Sequence, residues 1–351
     1  MAPELTDGVV RLRGWSEPDV AFVEAARADT PPERLTLEGA LAFARGQAEG
    51  VSAVIADVAS DETLGLVFMP ARPQRGVVGV AYWVAPAARG RGVGTRAVRL
   101  ATDWALAQPG TARVEAWVAP GNLASQRLLA AAGFTREGLL RSFTDFGDRR
   151  SDVVVFSRVA LRIFLAGASG VLGLRLVPLL VAQGHAVAAM TRSPGKTPDL
   201  ARLGAEPVVC DVYEERALRD AVAGFRADAV MHQLTDLPDD RSELGAYAAR
   251  NDRMRGEGTR NLIAAADGRP VYAQSIAWEM PPERAGTIAA HERMVLDAGG
   301  VVLRYGQLYG PGTFYADDPP PPPRIAVDEA ARRTVALLGA ASGIYDVAED
   351  G

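Results

Sequence analysis

The run Arg89-Gly90-Arg91-Gly92-Val93-Gly94-Thr95 places three glycines within five residues, between an apolar stretch, Gly79 to Val84, and a helix-patterned one, Arg96 to Leu106. Glycines let a backbone turn sharply and leave its amide N–H groups uncovered, and a helix N-terminus behind them adds about half a positive charge. That is the chemistry of a pyrophosphate cradle, to which Arg89 and Arg91 can add charge-assisted hydrogen bonds. Downstream, Asn122-Leu-Ala-Ser125 opens a second helical stretch that ends at Ala132 before Gly133, placed where a following strand and helix would return to the same cleft.

A second anion-binding pattern lies further on. Leu161 to Ala166 is an apolar strand-like run, followed at once by Gly167-Ala-Ser169-Gly170-Val171-Leu172-Gly173 and a helix expected to start near Val171. Gly-x-x-Gly-x-x-Gly between strand and helix is a dinucleotide fingerprint: the glycines serve the turn, the close approach of a pyrophosphate, and the packing of helix on strand. At the end of the next strand stands Thr191-Arg192-Ser193, with Lys196 close by, where a cation favours a ribose 2′-phosphate and hence NADP over NAD. Asp211, after the third strand, resembles the residue with which short-chain dehydrogenases hold the adenine amine, and is equally suited to a turn.

The elements that must position these residues divide the chain into two patterns. Residues 1–159 read as strands and helices in an α+β layout with a mostly antiparallel sheet, including helices at Glu17 to Ala26 and Leu37 to Gln47 and a single strand at Gly76 to Val84. Residues 160–351 alternate strand and helix strictly, with strands at Arg162 to Ala166, Ala186 to Thr191, Glu206 to Cys210, Ala227 to Met231, Val271 to Gln274 and Val301 to Tyr305. That order predicts an α/β Rossmann-like, doubly wound parallel sheet.

Composition bounds the chemistry. The 351 residues carry a net charge of −5, so no general attraction to nucleic acid or to an anionic membrane is expected. A single cysteine, Cys210, excludes an internal disulfide, and three histidines without cysteine partners argue against a zinc site. No apolar run approaches the length of a membrane span, and a reducing cytoplasm is the expected compartment. Glu115, on a strand beside the first cleft, is the candidate general base, the alternative being an ion-paired strand glutamate.

The first half resembles the GNAT acetyltransferase superfamily, and within it the ribosomal-protein N-terminal acetyltransferase-like group. The likeness rests on Val10-Arg-Leu-Arg-Gly-Trp15, Tyr82-Trp-Val-Ala-Pro86, the glycine run, Asn122 with Ser125, and Gly133-Phe-Thr-Arg-Glu-Gly138. It implies acetyl-CoA, its pyrophosphate on Arg89 to Thr95 and its pantetheine arm paired along Trp83, Val84 and Ala85, where a backbone N–H polarises the thioester carbonyl. Asn122 and Ser125 match the family's Asn-x-x-Ser pattern. Many relatives carry a tyrosine a few residues later as acid for the leaving thiolate; here those positions are Gln126 to Leu129, so Ser125 or a water must serve. The acceptor is a small-molecule or peptide amine, attacked directly.

The second half resembles the atypical and extended short-chain dehydrogenase/reductases, which include NAD-dependent epimerases, through the fingerprint, Gly256-Glu-Gly-Thr-Arg-Asn-Leu-Ile263, Ala273-Gln-Ser275 and Leu303-Arg-Tyr-Gly-Gln-Leu-Tyr-Gly-Pro-Gly-Thr313. The family's Tyr-x-x-x-Lys pair is missing, because the only lysine, Lys196, follows no tyrosine at that spacing. Ser275, His291 and Tyr309 are the remaining candidates for polarising a carbonyl or passing a proton. The half is thus either an active NADP-dependent reductase or epimerase, or a non-catalytic NADP-sensing scaffold, and a homodimer through it is open.

Overall fold

The structure, a computed structural model, describes residues 4–29, 41–42, 50–145, 150–238 and 240–349. It forms two compact units, residues 1–160 and 161–351. The helix expected over Leu37 to Gln47 lies outside the described residues except at Leu41 and Ala42, which are helical.

In the first unit, Leu5–Thr6, Val10–Arg13, Gly50–Asp57, Thr63–Pro70 and Ala81–Val84 form an antiparallel sheet in that order. A second sheet runs Val77–Gly79, Arg113–Val118, Arg150–Val159, Thr135–Asp145, with only its first pair parallel. The expected strand from Gly76 to Val84 is therefore two strands in two sheets. They divide at Val80, whose N–H goes to the Glu115 carbonyl at 2.8 Å while Ala81–Val84 turns away to pair with Thr63–Pro70. Hydrophobic pattern alone reads such a run as continuous, because side-chain alternation survives where the hydrogen-bonding partner changes. The split leaves Ala81–Val84 at the edge of its sheet.

Two helices face this opening. Val93–Leu106 buries Ala97, Val98, Ala101 and Ala105, a stripe with helical spacing that seats it on the core. Leu123–Ala131 follows the end of Arg113–Val118 and is capped by Asn122, whose side chain accepts the Ser125 N–H. The helix Glu17–Asp29 begins on a reciprocal cap: the Ser16 N–H and hydroxyl donate to Asp19, and the Asp19 N–H returns to the Ser16 carbonyl.

The second unit holds seven parallel strands in the order Glu206–Val209, Ala186–Thr191, Arg162–Ala166, Ala229–His232, Val271–Ile276, Val301–Tyr305, Gly343–Val347. In chain order this is 3-2-1-4-5-6-7, the doubly wound arrangement. The central strand is buried on both sides: Ile163 and Leu165 join a core with Leu176, Leu180 and Leu303, and Phe164 and Ala166 join another with Leu218, Leu262 and Val302. Strand order reverses between Arg162–Ala166 and Ala229–His232, so a crevice opens at their carboxyl ends. A two-stranded parallel ladder of Gln307–Tyr309 with Arg324–Ala326, not anticipated from the sequence, lies beyond the sixth strand.

Candidate functional sites

In the first unit the glycine run sits where its pattern places it. Gly92 caps the helix Val93–Leu106 at φ 77°, a left-handed conformation that costs a side-chain-bearing residue about 1–2 kcal/mol. The first helical bond runs from the Arg96 N–H to the Gly92 carbonyl, so the N–H groups of Val93, Gly94 and Thr95 precede it. A Cβ at Gly90 or Gly92 would meet nothing within 4 Å, so the loop's outer surface is open to a ligand. At Gly94 a Cβ would come within 2.5 Å of Leu128 and 3.2 Å of Val84, which makes this residue the close-packing point of helix, strand and second helix. The cradle fits an anionic pyrophosphate. Arg89 turns its Nε back onto the Val84 carbonyl at 2.9 Å, and Arg96 is paired with Asp7 at 2.7 Å. Arg91 is exposed.

The strand beside the cradle presents a narrower set of groups than Trp83, Val84 and Ala85 together. Ala85 donates its N–H to the Leu64 carbonyl at 2.9 Å, and alternation then turns the backbone of Trp83 the same way. The groups facing the open edge belong to Val84 and Tyr82. The Trp83 side chain is in the core at 3% exposure. Asn122 and Ser125 are brought to this strand: the Tyr82 hydroxyl lies 2.6 Å from Ser125 Oγ. Sequence reasoning missed Tyr82, although it stands two residues from Val84 and therefore on the same face and edge of the strand. Burial pushes its phenol up to about 12, against the opposing effect of the Ser125 hydrogen bond. Glu115 is only 9% exposed and lies between Arg113 Nε at 3.2 Å and Arg72 Nε at 3.5 Å.

In the second unit the helix begins at Gly173, two residues later than the sequence suggests, and its first bond runs from the Leu174 N–H to Gly170. The three fingerprint glycines divide their labour by geometry. Gly167 turns at φ 92°, and a Cβ there would lie 2.6 Å from the Gln233 carbonyl oxygen, at the crevice. At Gly170 a Cβ would lie 3.3 Å from the Gly167 carbonyl oxygen, a tight contact that a shift of a few tenths of an ångström relieves. At Gly173 a Cβ would be 2.2 Å from the Gly167 carbonyl oxygen. Gly173→Ala is accordingly expected to destabilise this unit by about 3 kcal/mol, since the clash is with backbone that cannot swing aside; urea unfolding with and without the substitution measures it.

Ser169 ties the loop to the second strand through Thr191, 2.9 Å from oxygen to oxygen. Val171 and Leu172 lie in the turn between Gly170 and the helix. Arg192 is exposed at the end of the second strand, 3.4 Å from Asp236. Asp236 is gripped at 3.0 and 3.1 Å by Arg250, so Arg192 is the more loosely held of the two arginines. Lys196 is exposed. Asp211 accepts the Tyr213 N–H at 3.0 Å, the turn-capping alternative.

The three candidates for carbonyl chemistry all have partners. Ser275 donates to Glu292 at 2.6 Å, and Arg304 grips the same carboxylate through two bonds of 2.8 and 2.6 Å. Burial alone would raise the Glu292 carboxyl, but these bonds outweigh it and hold it below the usual range. His291 Nε2 donates to the Gln274 carbonyl at 2.8 Å, which makes Nδ1 the acceptor for Thr259 Oγ1 at 2.9 Å. Thr259 in turn lies 3.0 Å from His232 Nε2. Burial lowers both histidines, His232 to about 3, so the chain is neutral and its hydrogens are spent. Tyr309 donates to Glu349 at 2.6 Å. A cavity of about 690 Å³ opens beyond Ser275 and is lined by Trp278, Met280, Ile288, Arg304, Arg333 and Asp346 among others. Among the described residues no cluster suits a metal, and no helix is long and apolar enough to cross a membrane.

A sheet opened at one strand over a glycine-capped helix start, and a doubly wound sheet with its fingerprint at the switch point, define two nucleotide-binding domains: an acyl-CoA fold and a dinucleotide fold. Residues 5–135 match the family described as acetyltransferase (GNAT) domain, and residues 167–272 the family described as NAD(P)H-binding. The chain carries a GNAT acetyltransferase domain towards its N-terminal end and an NAD(P)H-binding domain towards its C-terminal end. The first binds acetyl-CoA, and the second takes NADP or NAD.

Among curated proteins the chain is similar to the 3-diazoavenalumate denitrifying reductase of a Streptomyces species, 37% identical over 192 residues, covering 47% of this chain and 62% of that protein. It is also similar to the 4-hydroxy-2-methyl-3-oxo-4-farnesyl-3,4-dihydroquinoline-1-oxide ketoreductase of Stigmatella aurantiaca, 32% identical, covering 40% of this chain and 46% of that one. A third is the uncharacterized N-acetyltransferase p20 of Bacillus licheniformis, 29% identical, covering 44% of this chain and 88% of that one. The chain thus spans 62% and 46% of the length of the two reductases.

Proposed function

We propose that the N-terminal domain transfers the acetyl group of acetyl-CoA to an amine, small-molecule or peptide, by direct attack. The observation that carries this reading is the convergence of three groups on the open strand edge: the Val84 backbone, the glycine-capped start of Val93–Leu106, and the Tyr82–Ser125 pair. In the proposed reaction the amine nitrogen bonds to the thioester carbon, a backbone N–H at the open edge steadies the developing oxyanion, and the carbon–sulfur bond breaks. Ser125 is assigned the proton delivered to sulfur. The amine gives its proton to water, and Glu115 is assigned to the sheet's ion pairs in place of the base role. No covalent acetyl-enzyme is needed, since Cys210 lies in the other unit.

For the C-terminal domain the reading is an NADP(H)-dependent reductase with its substrate in the cavity beyond Ser275. The two relatives named as reductases support it, and the loosely held Arg192 supports NADP over NAD. With Ser275, His291 and Tyr309 each donating elsewhere, the favoured substrates are those that draw no proton from these three groups. The test for the first activity is release of CoA thiol from acetyl-CoA by the full chain with propylamine, spermidine and an alanyl peptide as acceptors. Acceptor-dependent release is expected with at least one of them; binding of acetyl-CoA without release to any overturns the transferase reading.

A further inference from the structure

We infer that Tyr82 is the positioning residue for the Ser125 hydroxyl, holding it so that the serine proton points at the sulfur leaving from the thioester. This rests on the transferase reading above. The phenol oxygen lies 2.6 Å from Ser125 Oγ and 3.4 Å from the Ser125 carbonyl oxygen. Either oxygen of the 2.6 Å pair can donate, and the proposed arrangement has the phenol donating to Ser125 Oγ. An Oγ that accepts from Tyr82 keeps its own single hydrogen for another partner.

The serine is fixed from a second side as well. Its N–H goes to Asn122 Oδ1 at 3.0 Å, which pins its backbone in the first turn of the helix. The neighbouring Gln126 side chain is drawn away to the Pro120 carbonyl at 2.8 Å. Burial keeps the phenol protonated across the neutral range. Tyr82 thus stands in for the tyrosine that Gln126 to Leu129 do not supply, from a strand instead of a helix and acting through the serine instead of on the sulfur.

The proton balance closes. Carbon–sulfur cleavage leaves a thiolate, which takes the Ser125 proton; the serine oxygen recovers a proton through the phenol, which is replenished from water. Net, the amine nitrogen loses one proton to water and sulfur gains one.

A double-mutant cycle on the full chain tests the inference, with kcat and KM for acetyl-CoA read from thiol release and CoA affinity read by calorimetry. Tyr82→Phe keeps the ring and removes only the hydroxyl; kcat is expected to fall about 10-fold with KM and CoA affinity unchanged. Ser125→Ala is expected to lower kcat about 100-fold, and adding Tyr82→Phe to it should cost nothing more. Ser125→Thr, which restores a hydroxyl, should recover most of the rate. An unchanged kcat in Tyr82→Phe, or the same loss with and without Ser125, overturns the inference while the transferase reading stands. A wild-type chain that binds acetyl-CoA yet releases thiol to none of the three amines overturns both.

Discussion

Gly170→Asp is expected to weaken NADPH binding by the C-terminal domain about 1,000-fold, because one carboxylate some 4 Å from one phosphate charge costs about 4 kcal/mol at the effective dielectric of a protein surface. The substitution is a clean probe of this site. A Cβ at Gly170 meets only the Gly167 carbonyl oxygen, at 3.3 Å, whereas at Gly167 and Gly173 it would drive into backbone at 2.6 and 2.2 Å. The fold should therefore survive with a shift of a few tenths of an ångström, and the loss should be one of affinity. Calorimetric titration of the full chain with NADPH measures it. Acetyl-CoA affinity, read on the same sample, should be unchanged, since its cradle is built within residues 1–160. Undiminished NADPH binding would mean that the nucleotide lies elsewhere.

Asp19→Ala is expected to destabilise the N-terminal domain by about 3 kcal/mol, the range for breaking a buried ion pair. Asp19 is 1% exposed and accepts from Arg13 at 2.7 and 3.1 Å, from the Ser16 N–H at 2.8 Å, and from the hydroxyls of Ser16 and Thr63. Among the described residues, alanine would leave Arg13 with Asp61 at 2.9 Å and the Gly14 carbonyl at 3.0 Å. Burial pushes the Asp19 carboxyl upward, but the Arg13, Ser16 and Thr63 hydrogen bonds outweigh it and hold it far below the ordinary range. A carboxyl lowered on folding stabilises fully above its unfolded pKa, about 4, and loses that contribution as pH falls toward its folded value. The wild-type domain should thus lose stability steeply below pH 4, and the variant should show a shallower acid limb. Urea unfolding followed by tryptophan emission at neutral and acid pH separates the two cases, because Trp15, Trp83, Trp104 and Trp117 lie in this unit and only Trp278 in the other. Equal acid limbs would contradict the assignment.

Both glycine loops were legible in the sequence, because a glycine run between a strand and a helix encodes backbone conformation directly. The parallel sheet was legible for the same local reason: fully buried strands such as Ile163 to Ala166 read as unbroken apolar runs. What the sequence concealed depends on partner choice. Nothing in Gly76 to Val84 announces that hydrogen bonding passes from one sheet to another at Val80, yet that switch creates the open edge. Tyr82 was hidden because its partner, Ser125, is far along the chain and on a helix, where no spacing rule reaches. The commitments of Ser275 to Glu292 and of His291 to Gln274 are likewise tertiary. They turn residues that looked available for chemistry into donors already in use.

The central claim, two formed nucleotide sites in one chain, is tested most directly by native mass spectrometry of the full chain titrated separately with acetyl-CoA and with NADPH. The account predicts a mass shift of one acetyl-CoA per chain in the first titration and of one NADPH per chain in the second. A chain that takes up no acetyl-CoA would contradict the account at its foundation, and one that takes acetyl-CoA but no NADPH would contradict the second site.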